Sequence, residues 1–467
     1  MNQHIITRNN THSLVLFFAG WGMDCQAFTN MKLNCDFMIA YDYENFDFNI
    51  DLVKSYDSIY VFAWSFGVYA ASRVLLDNPQ LPVVFKMAIN GTQFPVDDTK
   101  GIPLNIFKAT ANNLSQQSLL KFYRRICADK NQYDAFLARK PLRSIASLRN
   151  ELENIETTFI SCNRHPIEWD KVIVSKNDRI FPFENQLNGW SNLCKDMEID
   201  ETGAHMPSDF EKIINQNTIN KVLIKQRFSS SFETGYDSNA KVQKEIAATL
   251  FVKWENLIGL KQDTSILEFG CGTGFFTRIY LSHMYPSRLI LNDICNMPTI
   301  TLNLNATDYE FIEGDAERLD FPPGTFDYIV SSSAIQWFEN IPAFLEKASK
   351  WLKPDGALVI SSFGPRNMIE IKDISKISLN YKDVNWFNTK IKRNFDTIFI
   401  DEESKVLLFD SPIDALRHIK STGVNSVNSE RLTPKEVKNL LENYPENVNG
   451  KFPLTYNPIY IIAKKNV

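Results

Sequence analysis

Ser58-Ile-Tyr-Val-Phe-Ala-Trp-Ser-Phe-Gly-Val-Tyr-Ala-Ala-Ser72 reads as a β-rich apolar run that turns sharply at Ser65 into a helix of small residues. The run is apolar throughout rather than alternating, which predicts a strand covered on both faces. Leu14–Phe18, Val83–Ile89 and Lys171–Val174 repeat the pattern, and Leu14–Phe18 is stopped by Ala19-Gly-Trp-Gly22. Short apolar strands separated by helical stretches predict an α/β fold with a parallel sheet between helical layers. Between about 101 and 160 the periodicity is helical and no strand signal appears, as expected of a helical cap inserted over the sheet.

A second stretch repeats the strand–turn–helix logic. Ile266-Leu-Glu-Phe-Gly-Cys-Gly-Thr-Gly274 runs from a strand into glycines and then into a helix over Phe275–Tyr280. Further strands are expected at 288–292, 309–312, 326–330 and 357–361. With 467 residues, 44% hydrophobic and 22% charged, the chain is too long for one core and too apolar to be disordered. Two domains are expected, 1–218 and 219–467, with no internal repeat.

Composition narrows the chemistry. Up to residue 220 there are 21 Lys+Arg against 25 Asp+Glu, and beyond it 29 against 30. Neither half has the basic excess of a nucleic-acid binder. Seven scattered cysteines with no C-x-x-C spacing, and six histidines not clustered near them, predict neither a disulfide framework nor a metal site. No stretch approaches the roughly 20 apolar residues that span a bilayer. The start, MNQHIITRNNTHS, lacks the pattern of a signal peptide. A soluble, cytoplasmic protein without membrane partners is expected.

Ala63-Trp-Ser-Phe-Gly67 has the context of the G-x-S-x-G nucleophile elbow of α/β-hydrolases, with Ala in place of the first Gly. Small flanking residues are needed because strand and helix nearly touch around the serine. The pentapeptide alone also describes a tight turn. The strand at 171–174 is followed by a loop carrying Asp178, and His205 follows in Gly203-Ala-His-Met-Pro207. Ser65, Asp178 and His205 thus occur in hydrolase order, whereas His165 precedes the acid and breaks it. In such a triad His205 takes the Ser65 proton, and Asp178 orients the imidazole. Backbone N–H groups of Phe66 and Trp21 are the candidate oxyanion donors.

In the second half G-x-G-x-x-G fails, because Phe275 stands where the third glycine would be, and no P-loop lysine follows. Glu268 with Gly270, Gly272 and Gly274 instead fits the E/D-x-G-x-G-x-G form of class I methyltransferases. The expected fold is Rossmann-like and the expected cofactor is S-adenosyl-L-methionine, held at the helix N-terminus. Asp293 ends the second strand, where a carboxylate can accept the ribose hydroxyls. Asp315 and Ala316 follow the third, where an acid and a backbone N–H can read the adenine edge.

Phe17-Phe-Ala-Gly-Trp-Gly-Met-Asp24, Ala63–Gly67 and Asn90-Gly-Thr92 resemble the compact pimeloyl-acyl-carrier-protein methyl ester esterases of biotin synthesis over about 10–212. The resemblance implies a substrate with a methyl ester at one end and a protein-bound thioester at the other. Arg227-Phe-Ser-Ser-Ser-Phe-Glu-Thr-Gly-Tyr-Asp237 with Ala240 and Gln243, Ser331–Trp337, and His418–Val424 resemble the malonyl-acyl-carrier-protein O-methyltransferases of the same synthesis over about 222–465. That resemblance implies a lid over the cofactor, making Tyr236 and Gln243 candidates, with Gln336 and Trp337 shaping the substrate site. A carboxylate is already a nucleophile at neutral pH, so no general base is expected. Arg366 and Arg417 are candidates to pair with the substrate's charge. Carrier proteins of this kind are small and acidic. Lys121, Arg124 and Arg125, sharing one helix face, with Arg139 and Arg143 downstream, are candidates to dock one, and a solvated helix face reads equally well. Two other readings stay open: an inactive hydrolase-fold module that only binds the carrier, and a methyltransferase for quinone-type small molecules.

Overall fold

The computed structural model describes residues 1–161, 165–233, 238, 240–296, 309–375, 378–422, 433–447 and 449–466. The chain divides into two compact units, Met1–Thr218 and Ile219–Val467. Both are α/β, as the alternation of apolar runs and helical stretches predicts.

The first unit is built on seven strands, β1 (Asn2–Thr7), β2 (Ser13–Phe18), β3 (Asp36–Tyr41), β4 (Ser58–Trp64), β5 (Val83–Ile89), β6 (Trp169–Ser175) and β7 (Cys194–Asp200), in the order β1-β3-β2-β4-β5-β6-β7. All neighbours are parallel except the edge pair β1–β3. Every residue of β2 and β4 is buried, which is why both read as unbroken apolar runs near the middle of the sheet. Helix α1 (Gly67–Asp77) follows β4 after a two-residue turn. Between β5 and β6 lie the helices α2 (Leu104–Asn112), α3 (Gln116–Ile126), α4 (Lys130–Leu137) and α5 (Ile145–Ser161), where the sequence predicts a helical insert. Ser115 caps α3 through a reciprocal bond pair with Ser118.

In the second unit β8 (Ser265–Phe269), β9 (Arg288–Asp293), β10 (Tyr309–Glu313), β11 (Phe326–Ser331), β12 (Leu352–Phe363), β13 (Phe395–Glu402) and β16 (Pro458–Lys465) form a sheet ordered β10-β9-β8-β11-β12-β16-β13. The first five strands of this order are parallel. β16 enters antiparallel between β12 and β13, and its residues Ile459–Ala463 are fully buried. The chain steps outward from β8 to β9 and β10, then returns to β11 on the other side of β8. That reversal opens a crevice at the carboxyl end of β8, where ligands bind in sheets of this kind. β14 (Lys405–Phe409) and β15 (Phe452–Tyr456) pair apart from the main sheet. No helix among the described residues is long and apolar enough to cross a membrane.

Two candidate active sites

Ser65 follows β4 in a left-handed backbone conformation, φ +59°, that an L-residue adopts only when its surroundings hold it there. Its N–H donates to the Ile89 carbonyl at 3.0 Å, at the end of β5. Two residues on, a Cβ at Gly67 would lie 2.1 Å from the Phe18 carbonyl oxygen, so helix α1 can approach β2 only with glycine there. The turn therefore lifts the Ser65 side chain off the end of the sheet.

His205 Nε2 lies 2.9 Å from Ser65 Oγ, and His205 Nδ1 lies 2.9 Å from Asp178 Oδ2. All three residues are buried. Asp178 Oδ1 accepts the N–H groups of Ile180 (2.7 Å) and Phe181 (3.0 Å), and Oδ2 also accepts Gln186 Nε2 (3.0 Å). A carboxylate only accepts, so it selects the tautomer with the proton on Nδ1 and leaves Nε2 able to accept from Ser65. The Phe181 ring stacks parallel to the imidazole at 6.1 Å, and Trp64 packs at 5.3 Å. The sequence reading missed the groups that hold the histidine loop. Trp64 Nε1 donates to the His205 carbonyl (2.8 Å). Asn90 Nδ2 donates to the carbonyls of Ala204 and His205 (2.9 Å each), while Asn90 Oδ1 accepts the Ser175 N–H (2.8 Å). Asn90 thereby ties the ends of β5 and β6 to the loop carrying His205.

Phe66 is the N-cap residue of α1, directly after Ser65. The Trp21 turn follows β2, and its indole donates to the Leu148 carbonyl of α5 at 2.9 Å. The turn after β2 is thus fastened to the helical insert. Lys121, Arg124 and Arg125 are exposed on α3. Arg125 Nη2 also donates to the Arg179 carbonyl (2.8 Å), beside Asp178. Arg139 is exposed beyond the end of α4. Arg143, expected on the same docking face, instead has a side chain only 7% exposed. Its guanidinium pairs with Asp42 Oδ1 (2.5 Å), with the fully buried Glu151 and with Ser147 Oγ (2.7 Å). The segment between α4 and α5 is not helical, so Arg139 and Arg143 share no helix face either. A buried guanidinium with two carboxylates is a structural anchor, since a lone buried charge would be strongly destabilising.

In the second unit Gly270, Gly272 and Gly274 all have positive φ (+63°, +51° and +81°). A Cβ at Gly270 would lie 2.3 Å from Ala334 Cβ; at Gly272 the nearest atom is Phe232 Cζ at 3.9 Å, so that position borders open space. The space is a cleft of about 1140 Å³, counting solvent at its mouth, lined by all the expected cofactor residues except Gly274. Asp293 Oδ2 accepts the Gly272 N–H and Oδ1 the Cys295 N–H, both at 2.9 Å. Burial raises the Asp293 pKa. Glu268 turns Oε2 towards the following helix, accepting Thr277 Oγ1 and Tyr280 Oη at 2.7 Å each, and burial pushes its pKa up to about 7. It fixes the helix under the glycine loop as well as lining the cleft.

Gln243, Gln336 and Trp337 line the cleft, and Trp337 packs edge-on against Phe228 at 5.7 Å. Tyr236 lies outside the described residues. Arg366 and Arg417 do not line this cleft: they pair with Glu402 and Asp414, both at 3.0 Å. Among the described residues the cation that lines the cleft is Lys221, which the sequence reading passed over. A polar ligand fits the lining. Among the described residues, Gln243 Oε1, Thr273 Oγ1, Ser333 Oγ and Gln336 Oε1 are buried without a hydrogen-bond partner, and native proteins rarely leave such atoms unpaired.

Comparison with known proteins matches both units. Residues 1–213 match the family described as pimeloyl-ACP methyl esterase BioG, and residues 267–360 match the methyltransferase-domain family. A malonyl-[acyl-carrier protein] O-methyltransferase of Bacteroides fragilis (strain 638R) is 38% identical over 460 residues, covering 97% of this chain and 92% of that protein. Its namesake from Calditerrivibrio nitroreducens is 35% identical over 232 residues, covering 50% of this chain and 92% of that protein. The crystal structure of BioG from Haemophilus influenzae covers 44% of this chain and 94% of its own, at 35% identity and a TM-score of 0.40. The chain therefore belongs to the malonyl-[acyl-carrier protein] O-methyltransferase family, with a BioG domain joined ahead of the methyltransferase domain.

Proposed function

We propose that this is a bifunctional enzyme of biotin-precursor synthesis. It methylates the free carboxylate of a malonyl carrier-protein thioester with S-adenosyl-L-methionine, and it hydrolyses the methyl ester of the pimeloyl carrier protein. The observation that carries the reading is the Ser65–His205–Asp178 chain of 2.9 Å contacts in a chain that also holds a methyltransferase domain.

In the first unit, an α/β-hydrolase in this reading, Ser65 Oγ attacks the ester carbonyl as His205 Nε2 takes its proton. The N–H groups of Phe66 and Trp21 stabilise the oxyanion, each worth about 3 kcal/mol in comparable enzymes. His205 then gives that proton to the departing methoxide, which leaves as methanol, and water releases the acid by the same route. In the second unit, S-adenosyl-L-methionine supplies an electrophilic methyl group on a positively charged sulfonium. Gly270 and Gly272 would admit it to the backbone, with Gly274 starting the helix behind them, Asp293 would accept the ribose hydroxyls, and Asp315 and Ala316 would meet the purine. Gln243, Gln336 and Trp337 close the site against water and align the substrate carboxylate, which needs no base.

On one substrate the two activities would cancel and waste methyl donor. They are compatible if the ester masks the malonyl charge during chain extension and is removed only at pimeloyl length. At about 0.8 kcal/mol per buried methylene, the added methylenes give the esterase enough to select the longer chain. Mass spectrometry of malonyl carrier protein incubated with S-adenosyl-L-methionine and the enzyme tests the first half, and pimeloyl carrier-protein methyl ester tests the second. Ser65→Ala should keep methyl transfer and lose hydrolysis. Absence of methyl gain by the malonyl carrier, or near wild-type hydrolysis by Ser65→Ala, refutes the corresponding half.

A further inference from the structure

The helix Lys221–Glu233 opens the second unit and presents Lys221, Ile224, Phe228 and Phe232 to the cleft. Their three- and four-residue spacing puts them on one stripe. At the head of that stripe Lys221 Nζ donates to Asp315 Oδ1 (3.1 Å) and Glu317 Oε2 (2.8 Å), and it lies 5.0 Å over the Phe338 ring. One turn on, Lys225 Nζ reaches Glu313 Oε1 (2.5 Å). Glu317 is itself fixed, accepting the N–H groups of Glu339 (2.8 Å) and Asn340 (2.7 Å). Burial works to lower the Lys221 pKa, but Glu317 and Asp315 raise it overall, so the lysine is a standing cation.

Asp315 has two oxygens with different fates. Oδ1 receives Lys221 Nζ and the Glu317 N–H (3.1 Å). Oδ2 takes no hydrogen bond from any described residue, and Asp315 lines the cleft. Both oxygens of a carboxylate only accept, so holding Oδ1 fixes where Oδ2 stands and not what it does.

We propose that Lys221 is a positioning residue for base selection: by holding Asp315 Oδ1 it places Oδ2 to accept a hydrogen bond from the 6-amino group of a purine, making the site select adenosine over inosine. The proposal rests on the reading of the cleft as the S-adenosyl-L-methionine site. It goes beyond that reading because it assigns the selectivity to a helix preceding the sheet, not to Asp315 alone.

The test is calorimetric, on the full-length chain, with S-adenosylhomocysteine and S-inosylhomocysteine. The wild type should bind the adenosyl ligand at least about tenfold more tightly, the size of one hydrogen bond to a charged group. In Asp315→Asn, Lys221 should keep the amide oxygen and turn the NH₂ to the cleft, inverting the preference towards the 6-oxo base. Adding Lys221→Met should weaken that inversion, because only the Glu317 N–H (3.1 Å) then holds the amide oxygen. Lys221→Met alone should lower the wild-type ratio severalfold, because Asp315 loses the stronger fix on its position, and Lys221→Arg should retain it. Lys225→Met loosens the same helix without touching Asp315, so it should weaken both ligands alike and leave the ratio unchanged. A wild-type ratio in Lys221→Met, or an adenosyl preference persisting in Asp315→Asn, overturns the proposal. If Lys221→Met does not fold, judged by melting and by ester hydrolysis in the same chain, Asp315→Asn and Lys221→Arg still decide it. A wild type that binds neither ligand refutes the cofactor reading instead.

Discussion

Replacing Asp178 by asparagine separates orientation from bulk, because the side chains have the same shape. Asp178 accepts four hydrogen bonds, two on each oxygen. An asparagine has one oxygen. The paired N–H groups of Ile180 and Phe181 should keep it, which turns the NH₂ towards Gln186 Nε2 and His205 Nδ1. Two donors then face each other at Gln186. Flipping Gln186 would relieve that clash but break its bond to the Phe181 carbonyl (3.0 Å). A buried donor left without an acceptor costs about 1–3 kcal/mol, so the variant should fold with a lowered melting temperature. The larger effect is on His205. With an NH₂ opposite it, Nδ1 must accept, the proton moves to Nε2, and the imidazole can no longer take the Ser65 proton. Loss of the correct tautomer in a triad of this geometry lowers kcat about 10⁴-fold, or about 5.4 kcal/mol at 1.36 per decade. KM should hardly change, since Asp178 is buried behind the imidazole. The assay is steady-state hydrolysis of a short activated ester, with methyl transfer by the same preparation reporting intact protein. A kcat within tenfold of wild type, or an effect confined to KM, would show that Asp178 does not set the tautomer.

Three further outcomes are expected. Gly272→Val puts a strained side chain at φ +51° into the cleft, so binding of S-adenosylhomocysteine should disappear from calorimetry while ester hydrolysis is untouched; retained binding would move the cofactor elsewhere. Lys121→Glu with Arg124→Glu should raise KM for carrier-bound ester on the order of tenfold at low salt and leave a small free ester unaffected, and equal losses on both would make the patch structural. Glu268 has its pKa raised from 4.5 to about 7, so the folded state binds its proton more tightly than the unfolded one. The second unit should therefore lose stability as pH rises from about 4.5 to 7 and level off above, and Glu268→Gln should flatten that slope. Hydrogen exchange in the helix Phe275–Leu281 reads it; an unchanged slope contradicts the assignment.

The residues that chemistry needs at fixed places were legible because each stands where a strand ends. Ser65, Asp178 and the acids lining the second unit's cleft all follow apolar runs, and the glycines mark where backbone must pass backbone. Partners remote in sequence were not legible. Arg143 looks like a surface cation until Asp42, 101 residues away, and Glu151 close over it. Lys221 precedes its carboxylates by more than ninety residues, and nothing local distinguishes it from its neighbours. Asn90 shows only as part of a short segment, while its work is to join two strand ends to a third loop. Of the strands left out of the sequence reading, β1, β7 and β14 lie half exposed and alternate with polar residues. By contrast, β3 and β16 carry plain apolar runs, Phe37–Ala40 and Ile459–Ala463, that periodicity alone registers.

The place of β16 orders events during synthesis. Each strand of the first sheet has been made once Asp200 emerges, so that unit can fold while the ribosome is still working. The second sheet cannot finish so early. Between β12 and β13 it keeps a gap that only Pro458–Lys465 fills, and until then β13 has no neighbour and β12 offers a raw edge. An open edge of buried apolar strand invites pairing with another chain. Nascent chains should therefore be most prone to aggregate in the interval between β13 and β16, and a stalled or truncated product ending there should carry a folded first unit on a sticky, half-built partner.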